Sequence, residues 1–133
     1  MQKKHWRAVA SLCLLLILSG CSGGGNARFI PPVESARDAL TEALQAWKEG
    51  RTCQAISDVQ PTVQPVDSRW QQGQKLVEFE ILRELDKEGP KQFQVRIRLD
   101  GNAVPQETTY IVVGQDPLFV YWLTDYEQSS KTM

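Results

Sequence analysis

The run Lys75-Leu-Val-Glu-Phe-Glu-Ile-Leu-Arg-Glu-Leu85 is followed, after Asp86-Lys-Glu-Gly-Pro90, by Gln92-Phe-Gln-Val-Arg-Ile-Arg-Leu99. Both runs alternate apolar with polar or charged residues, the period of a half-buried strand. A turn centred near Glu88 sets Glu78 opposite Arg98 and Glu80 opposite Arg96. The same register sets Val77, Phe79 and Ile81 opposite Leu99, Ile97 and Val95. One register that satisfies both faces specifies an antiparallel hairpin. It also accounts for the most tempting catalytic cluster. Carboxylates paired with guanidinium groups are here a solvated cross-strand ladder, each pair worth a fraction of a kcal/mol.

Two further runs, Thr108 to Val113 and Leu118 to Asp125, flank the turn Gly114-Gln-Asp-Pro117. Their register opposes Thr109, Ile111 and Val113 to Leu123, Tyr121 and Phe119. On the other face it opposes Tyr110 and Val112 to Trp122 and Val120. Both faces are apolar, and one helix covers only one of them. The second is then covered by the Pro61–Trp70 segment, covered by a partner, or exposed. Tyr110, Val112, Val120 and Trp122 are the candidate self-association or partner surface, because exposed apolar patches commonly mark interaction sites.

Upstream, Ser35 to Glu49 has helical periodicity. Ala36, Leu40, Ala43, Leu44 and Trp47 form one stripe, Ser35 and Asp38 read as a capping box, and Gly50 supplies a stop. Trp47 reads as a core anchor rather than a ligand platform. A short helical turn is expected around Cys53 to Asp58 and an extended stretch at Val63 and Val66. Asp67-Ser-Arg-Trp-Gln-Gln-Gly73 reads as a turn into the sheet, and no internal repeat stands out. A helix followed by a meander predicts an α+β fold, with the N-terminal helix packed on a curved four-stranded antiparallel sheet.

The first twenty residues carry Lys3, Lys4 and Arg7 ahead of the apolar run Ala8 to Leu18. That run is short of the roughly 20 residues a membrane span needs and fits a secretory signal. It ends in Leu18-Ser-Gly-Cys21, which resembles the bacterial lipobox. The resemblance implies cleavage before Cys21, a diacylglycerol on its thiol and acylation of the new amino terminus. Two or three chains anchor firmly where one binds marginally. Ser22, directly after the cysteine, resembles members destined for the outer membrane. The alternative is an ordinary signal peptide with a coincidental cysteine. The expected organisation is a signal peptide at 1–20, a lipidated cysteine and Gly/Ser-rich tether at 21–32, a domain at 33–126 and a disordered tail at 127–133.

Cleavage would remove His5, the chain's one histidine, together with Cys13. Cys21 is consumed by lipid, so Cys53 stands alone and a disulfide within the chain is excluded. Cys53 is expected to be a small buried hydrophobe rather than a reactive thiol. Without histidine the domain lacks the commonest general base and metal ligand. Twelve Lys and Arg then face sixteen Asp and Glu, a net charge of −4 that lacks the footprint of nucleic-acid binding. No metal or other cofactor is expected.

The order of helix and meander, with the helix end Ala46-Trp-Lys-Glu-Gly50, resembles the cystatin-like architecture shared with the nuclear transport factor two-like superfamily. Cystatins inhibit proteases through a Gln-x-Val-x-Gly loop. The nearest match here, Tyr110-Ile-Val-Val-Gly114, has tyrosine for glutamine and reads as strand. The transport-factor-like enzymes often use a His/Asp pair, which this domain lacks, leaving Tyr/Asp or Asp-only chemistry as the open route. The resulting expectation is a non-catalytic lipoprotein of the cell envelope, periplasmic or surface-exposed, acting as a binding or assembly module. The alternative is a small-ligand-binding protein or weak enzyme. It requires a helix–sheet cavity with Tyr121, Arg83 or Asp125 pointing inward, and it fails if Leu40, Leu44 and Trp47 pack flush.

Overall fold

The computed structural model describes residues 29–131, so the signal sequence, Cys21 and most of the tether lie outside the described residues. Helix α1 (Val33–Lys48) has Pro32 rather than Ser35 as its N-cap, with no side-chain cap. The Pro32 carbonyl accepts from Ala36 N at 2.9 Å, which starts the first turn ahead of the expected capping box. The predicted stripe of Ala36, Leu40, Ala43, Leu44 and Trp47 is buried, joined by Ala39 and Ala46. Small residues on this face let the helix lie close to the sheet.

That sheet corrects the expected fold class. Instead of four antiparallel strands with strong curvature it has five, in mixed orientation, and it neither closes nor curls strongly. The strands are β1 (Val63–Val66), β2 (Leu76–Leu85), β3 (Lys91–Leu99), β4 (Gln106–Gly114) and β5 (Leu118–Trp122). Their spatial order is β1-β5-β4-β3-β2. The extra strand is the short Val63–Val66 stretch, which pairs parallel to β5, Val63 opposite Leu118 and Val66 opposite Tyr121. A parallel neighbour more than fifty residues away leaves no local turn signal, which is why the meander looked complete without it.

Both hairpin registers match expectation over most of their length. Glu78 faces Arg98 and Glu80 faces Arg96, while Tyr110 faces Trp122 and Val112 faces Val120. A register shift between Leu76 and Glu78 makes Leu76, not Val77, the partner of Leu99. The charge ladder forms on the outer face, with Arg96 Nη1 3.0 Å from Glu80 Oε1 and Arg98 Nε 3.5 Å from Glu78 Oε2. Both sheet edges are blunted against pairing with another chain. β1 is four residues long with Pro65 inside it, and β2 carries two register shifts and exposed charges.

The core lies between α1 and one sheet face, built on Phe93, Val95, Ile97, Tyr110, Val112, Leu118 and Val120. The final run was expected to stay extended to Asp125. It ends at Trp122, and the chain continues as helix α3 (Leu123–Lys131), so the polar tail expected from 127 starts inside a helix. Asp125 in its first turn and Lys131 in its last suit the helix dipole. Tyr126 of α3 meets Tyr121 edge-on at 5.3 Å, and Phe119 stacks on Tyr121 at 6.2 Å. The second apolar face, with buried Ile111, is therefore covered in part by this helix.

Candidate functional site

The local sequence Asp67-Ser-Arg-Trp-Gln-Gln-Gly73 folds as a single helical turn, α2 (Ser68–Gln71), between β1 and β2. Asp67 is its N-cap and Asp67 Oδ1 accepts from Arg69 N at 3.0 Å. From the C-terminal helix, Asp125 Oδ2 accepts from Ser68 N at 2.7 Å. The turn thus has its amide groups satisfied by two carboxylates, one of them 57 residues away.

Arg69 places its guanidinium on the same carboxylate that caps the helix. Nε reaches Asp67 Oδ1 at 3.1 Å and Nη2 reaches Oδ2 at 3.0 Å, a bidentate pair. Tyr110 Oη, from the middle of β4, donates to Asp67 Oδ2 at 2.5 Å and accepts from Arg69 Nη2 at 3.0 Å. The face of Trp122 lies 3.8 Å from the Arg69 guanidinium carbon. Asp67 and Tyr110 are each only 2 % exposed. Every buried side-chain nitrogen and oxygen among the described residues has a hydrogen-bond partner.

Burial pushes the Tyr110 phenol well above its ordinary range, and the Asp67 charge pushes the same way. For Arg69, burial pulls the guanidinium down, but its hydrogen bond to Asp67 and its charged surroundings outweigh this and hold it above its usual value. Tyr110 therefore keeps its proton as a donor to Asp67. The fold prefers protonated Tyr110 while the unfolded chain releases that proton from about pH 10. This contribution is complete below that pH and is lost as pH rises toward the folded value. Melting temperature measured from pH 8 to pH 11 should fall more steeply for wild type than for Tyr110→Phe. Parallel curves would contradict the assignment.

Above this network the two helix ends are built alike. α1 ends in Trp47-Lys-Glu-Gly50-Arg51 and α2 in Trp70-Gln-Gln-Gly73-Gln74. Gly50 and Gly73 sit at φ 88° and 96°, where a side chain would be strained. Gly50 N donates to Trp47 O and Arg51 N to Ala46 O. Gly73 N donates to Trp70 O and Gln74 N to Arg69 O, all at 3.0 Å. Both ends are thus Schellman motifs. Each indole then closes on the other helix. Trp47 Nε1 donates to Gln74 O at 2.7 Å and Trp70 Nε1 to Arg51 O at 2.8 Å. Their rings stack at 5.5 Å and 12°. The repeated W-x-x-G was visible in the sequence, but at two separated turns it carried no repeat signal.

Three of the four residues expected to form an outer surface belong to the core, and the fourth, Trp122, packs against it. Tyr110, Val112 and Val120 are buried beneath α1, and Trp122 is half-buried with Nε1 on Thr108 Oγ1 at 2.8 Å. The partner-surface assignment is corrected accordingly. The two sheet faces are equally apolar, so alternation could not say which one the first helix covers. Leu40, Leu44 and Trp47 are buried against the sheet. Tyr121 packs between Phe119 and Tyr126, Asp125 caps α2, and Arg83 is exposed. None of these three is an inward-pointing polar group of a helix–sheet cavity.

Cys53 is half-buried against the core, its Sγ 3.7 Å from Pro65 O. Burial pushes its thiol up, which reduces the thiolate fraction a nucleophile needs. A cleft of about 400 Å³ opens beside the indole pair, with Arg51, Thr52, Gln71 and Lys75 on its walls. Arg51 is drawn to Asp58 at 3.5 Å. Among the described residues no group of three or more His, Cys, Asp or Glu side chains could hold a metal ion. No helix among them is long and apolar enough to cross a membrane, which leaves lipid anchoring and β-barrels unaddressed.

The chemistry of the network is therefore that of a lock. A buried carboxylate is neutralised by a largely buried guanidinium and hydrogen-bonded by a buried tyrosine, tying α2 to β4. A Tyr/Asp pair does exist, but its polar atoms are turned on each other. No protein family, curated protein or solved structure matches this chain.

Proposed function

We propose that this protein is a lipid-anchored, non-catalytic module of the cell envelope that binds or helps assemble a partner. The observation that carries the proposal is Leu18-Ser-Gly-Cys21, placed directly after a basic and apolar leader and before Ser22-Gly-Gly-Gly25. The domain's internal chemistry is consistent with it, since Asp67, Arg69 and Tyr110 satisfy one another inside the core. The blunted edges of the sheet suit a module whose partner contact is made by side chains on its faces rather than by an added strand. Ser22 favours an outer-membrane destination over an inner-membrane one.

The test is metabolic labelling with an alkyne-tagged palmitate in a diderm host. The wild-type protein should take up label and partition into the detergent phase, and Cys21→Ser should lose the label entirely. Equal labelling of the two, or none in wild type, would refute the anchor.

A further inference from the structure

The exposed large hydrophobic side chains among the described residues are Phe29, 49 % exposed, and Val104, 74 % exposed. They sit at opposite ends of the sheet. Phe29 and Ile30 line a cleft of about 360 Å³ with Gly89, Pro90, Val113 and Tyr126, at the β2–β3 turn. Val104 lies past the far end of β3, whose nine residues span roughly 30 Å. Among the described residues, no charged side chain lines the Phe29 cleft.

Eight Cα steps separate Phe29 from Cys21. Whatever path those residues take, they reach no further than about 28 Å. The Phe29 end of the domain is thereby held near any bilayer that holds Cys21, while the Val104 end has no such tie. A contact too weak to bind a membrane from solution is effective at the local concentration a short tether imposes.

We infer that the patch formed by Phe29, Ile30 and Tyr126 docks on the phospholipid surface that carries the anchor, turning this end of the domain toward the bilayer. The inference rests on the acylated Cys21 proposed above. Tyrosine beside apolar side chains suits the boundary between headgroups and acyl chains. Around the turn, Asp86 and Glu88 balance Lys87 and Lys91, so the contact is apolar and independent of anionic lipid.

The experiment uses the full acylated protein with Cys53→Ser, carrying an environment-sensitive dye at Lys87→Cys or, as the distal control, at Asn102→Cys. Acylation of each preparation is verified by the mass of its Cys21 peptide. In vesicles of phosphatidylethanolamine and phosphatidylglycerol with a headgroup-proximal quencher, the dye at position 87 should be quenched several-fold more than that at 102. The difference should survive high salt and collapse in Phe29→Ser. Equal quenching at the two positions on acylated protein would overturn the docking and leave the anchor standing. An unacylated Cys21 would overturn both. Shielding of position 87 in native envelopes but not in vesicles would show a protein on the patch and overturn the lipid assignment.

Discussion

Asp67→Ala should cost about 3–5 kcal/mol of folding stability, because it strands a buried guanidinium. The Arg69 side chain is 11 % exposed and Asp67's is 3 %, so water replaces little of what the carboxylate supplies. The same carboxylate caps α2 and accepts a hydrogen bond from the Tyr110 hydroxyl, and both contacts go with it. Domains of this size are stable by about 5–15 kcal/mol, so at the lower end of that range the loss takes most of the stability. The deciding comparison is with Asp67→Ala/Arg69→Met, which removes both charges. Removing the stranded charge should recover part of the loss, leaving a deficit of about 1–2 kcal/mol for the vacated cap and Tyr110 hydroxyl. Urea unfolding of wild type, Asp67→Ala, Arg69→Met and the double variant measures this cycle. A single variant losing less than about 1 kcal/mol, the scale of an ordinary cap, would mean that Asp67 does not hold the network together.

The second large effect concerns the indole pair. Trp47→Ala and Trp70→Ala should each destabilise by about 3–5 kcal/mol, as truncation of a buried tryptophan does. The specific expectation is their coupling. Each indole caps the chain leaving the other helix and stacks on its counterpart, so removing one leaves the other unable to keep its full set of contacts. The double variant should therefore lose less than the sum of the two by about 1–2 kcal/mol. Trp47→Phe separates ring from donor. It keeps the stack, leaves Gln74 O without its indole, and should cost about 1 kcal/mol beyond the volume change. Additive losses within about 0.5 kcal/mol would contradict the reciprocal arrangement.

What could be read from the chain divides along the line between local and distant interactions. The α1 stripe and both hairpin registers follow from periodicity and short turns, and the residues involved appear where that logic puts them. The parallel strand Val63–Val66 does not, because its partner is β5 and its own four residues include a proline. α3 was hidden by Leu118-Phe-Val-Tyr-Trp122, whose aromatic β-pattern carried the strand expectation on to Asp125. The face assignment failed for a related reason. Ile111, Phe119 and Tyr121 are as apolar as Tyr110, Val112 and Val120, so only the position of α1 distinguishes inside from outside. Asp67 is the sharpest case. In Asp-Ser-Arg-Trp it resembles any turn aspartate, and its burial depends on a tyrosine 43 residues further along the chain. The charge ladder, by contrast, was legible because sheet geometry tests it directly, and that test turned an apparent active site into a surface.

A lock at the centre, a charge ladder outside and blunted edges describe the domain itself. Where it is held is the central claim, and it rests on Cys21. The most direct measurement is the intact mass of the amino-terminal peptide from protein made in a diderm host. An anchored protein would begin at Cys21 and carry diacylglycerol on its thiol and an acyl group on its amine. A chain that retains Met1, or one in which Cys21 carries a free thiol, would contradict the claim.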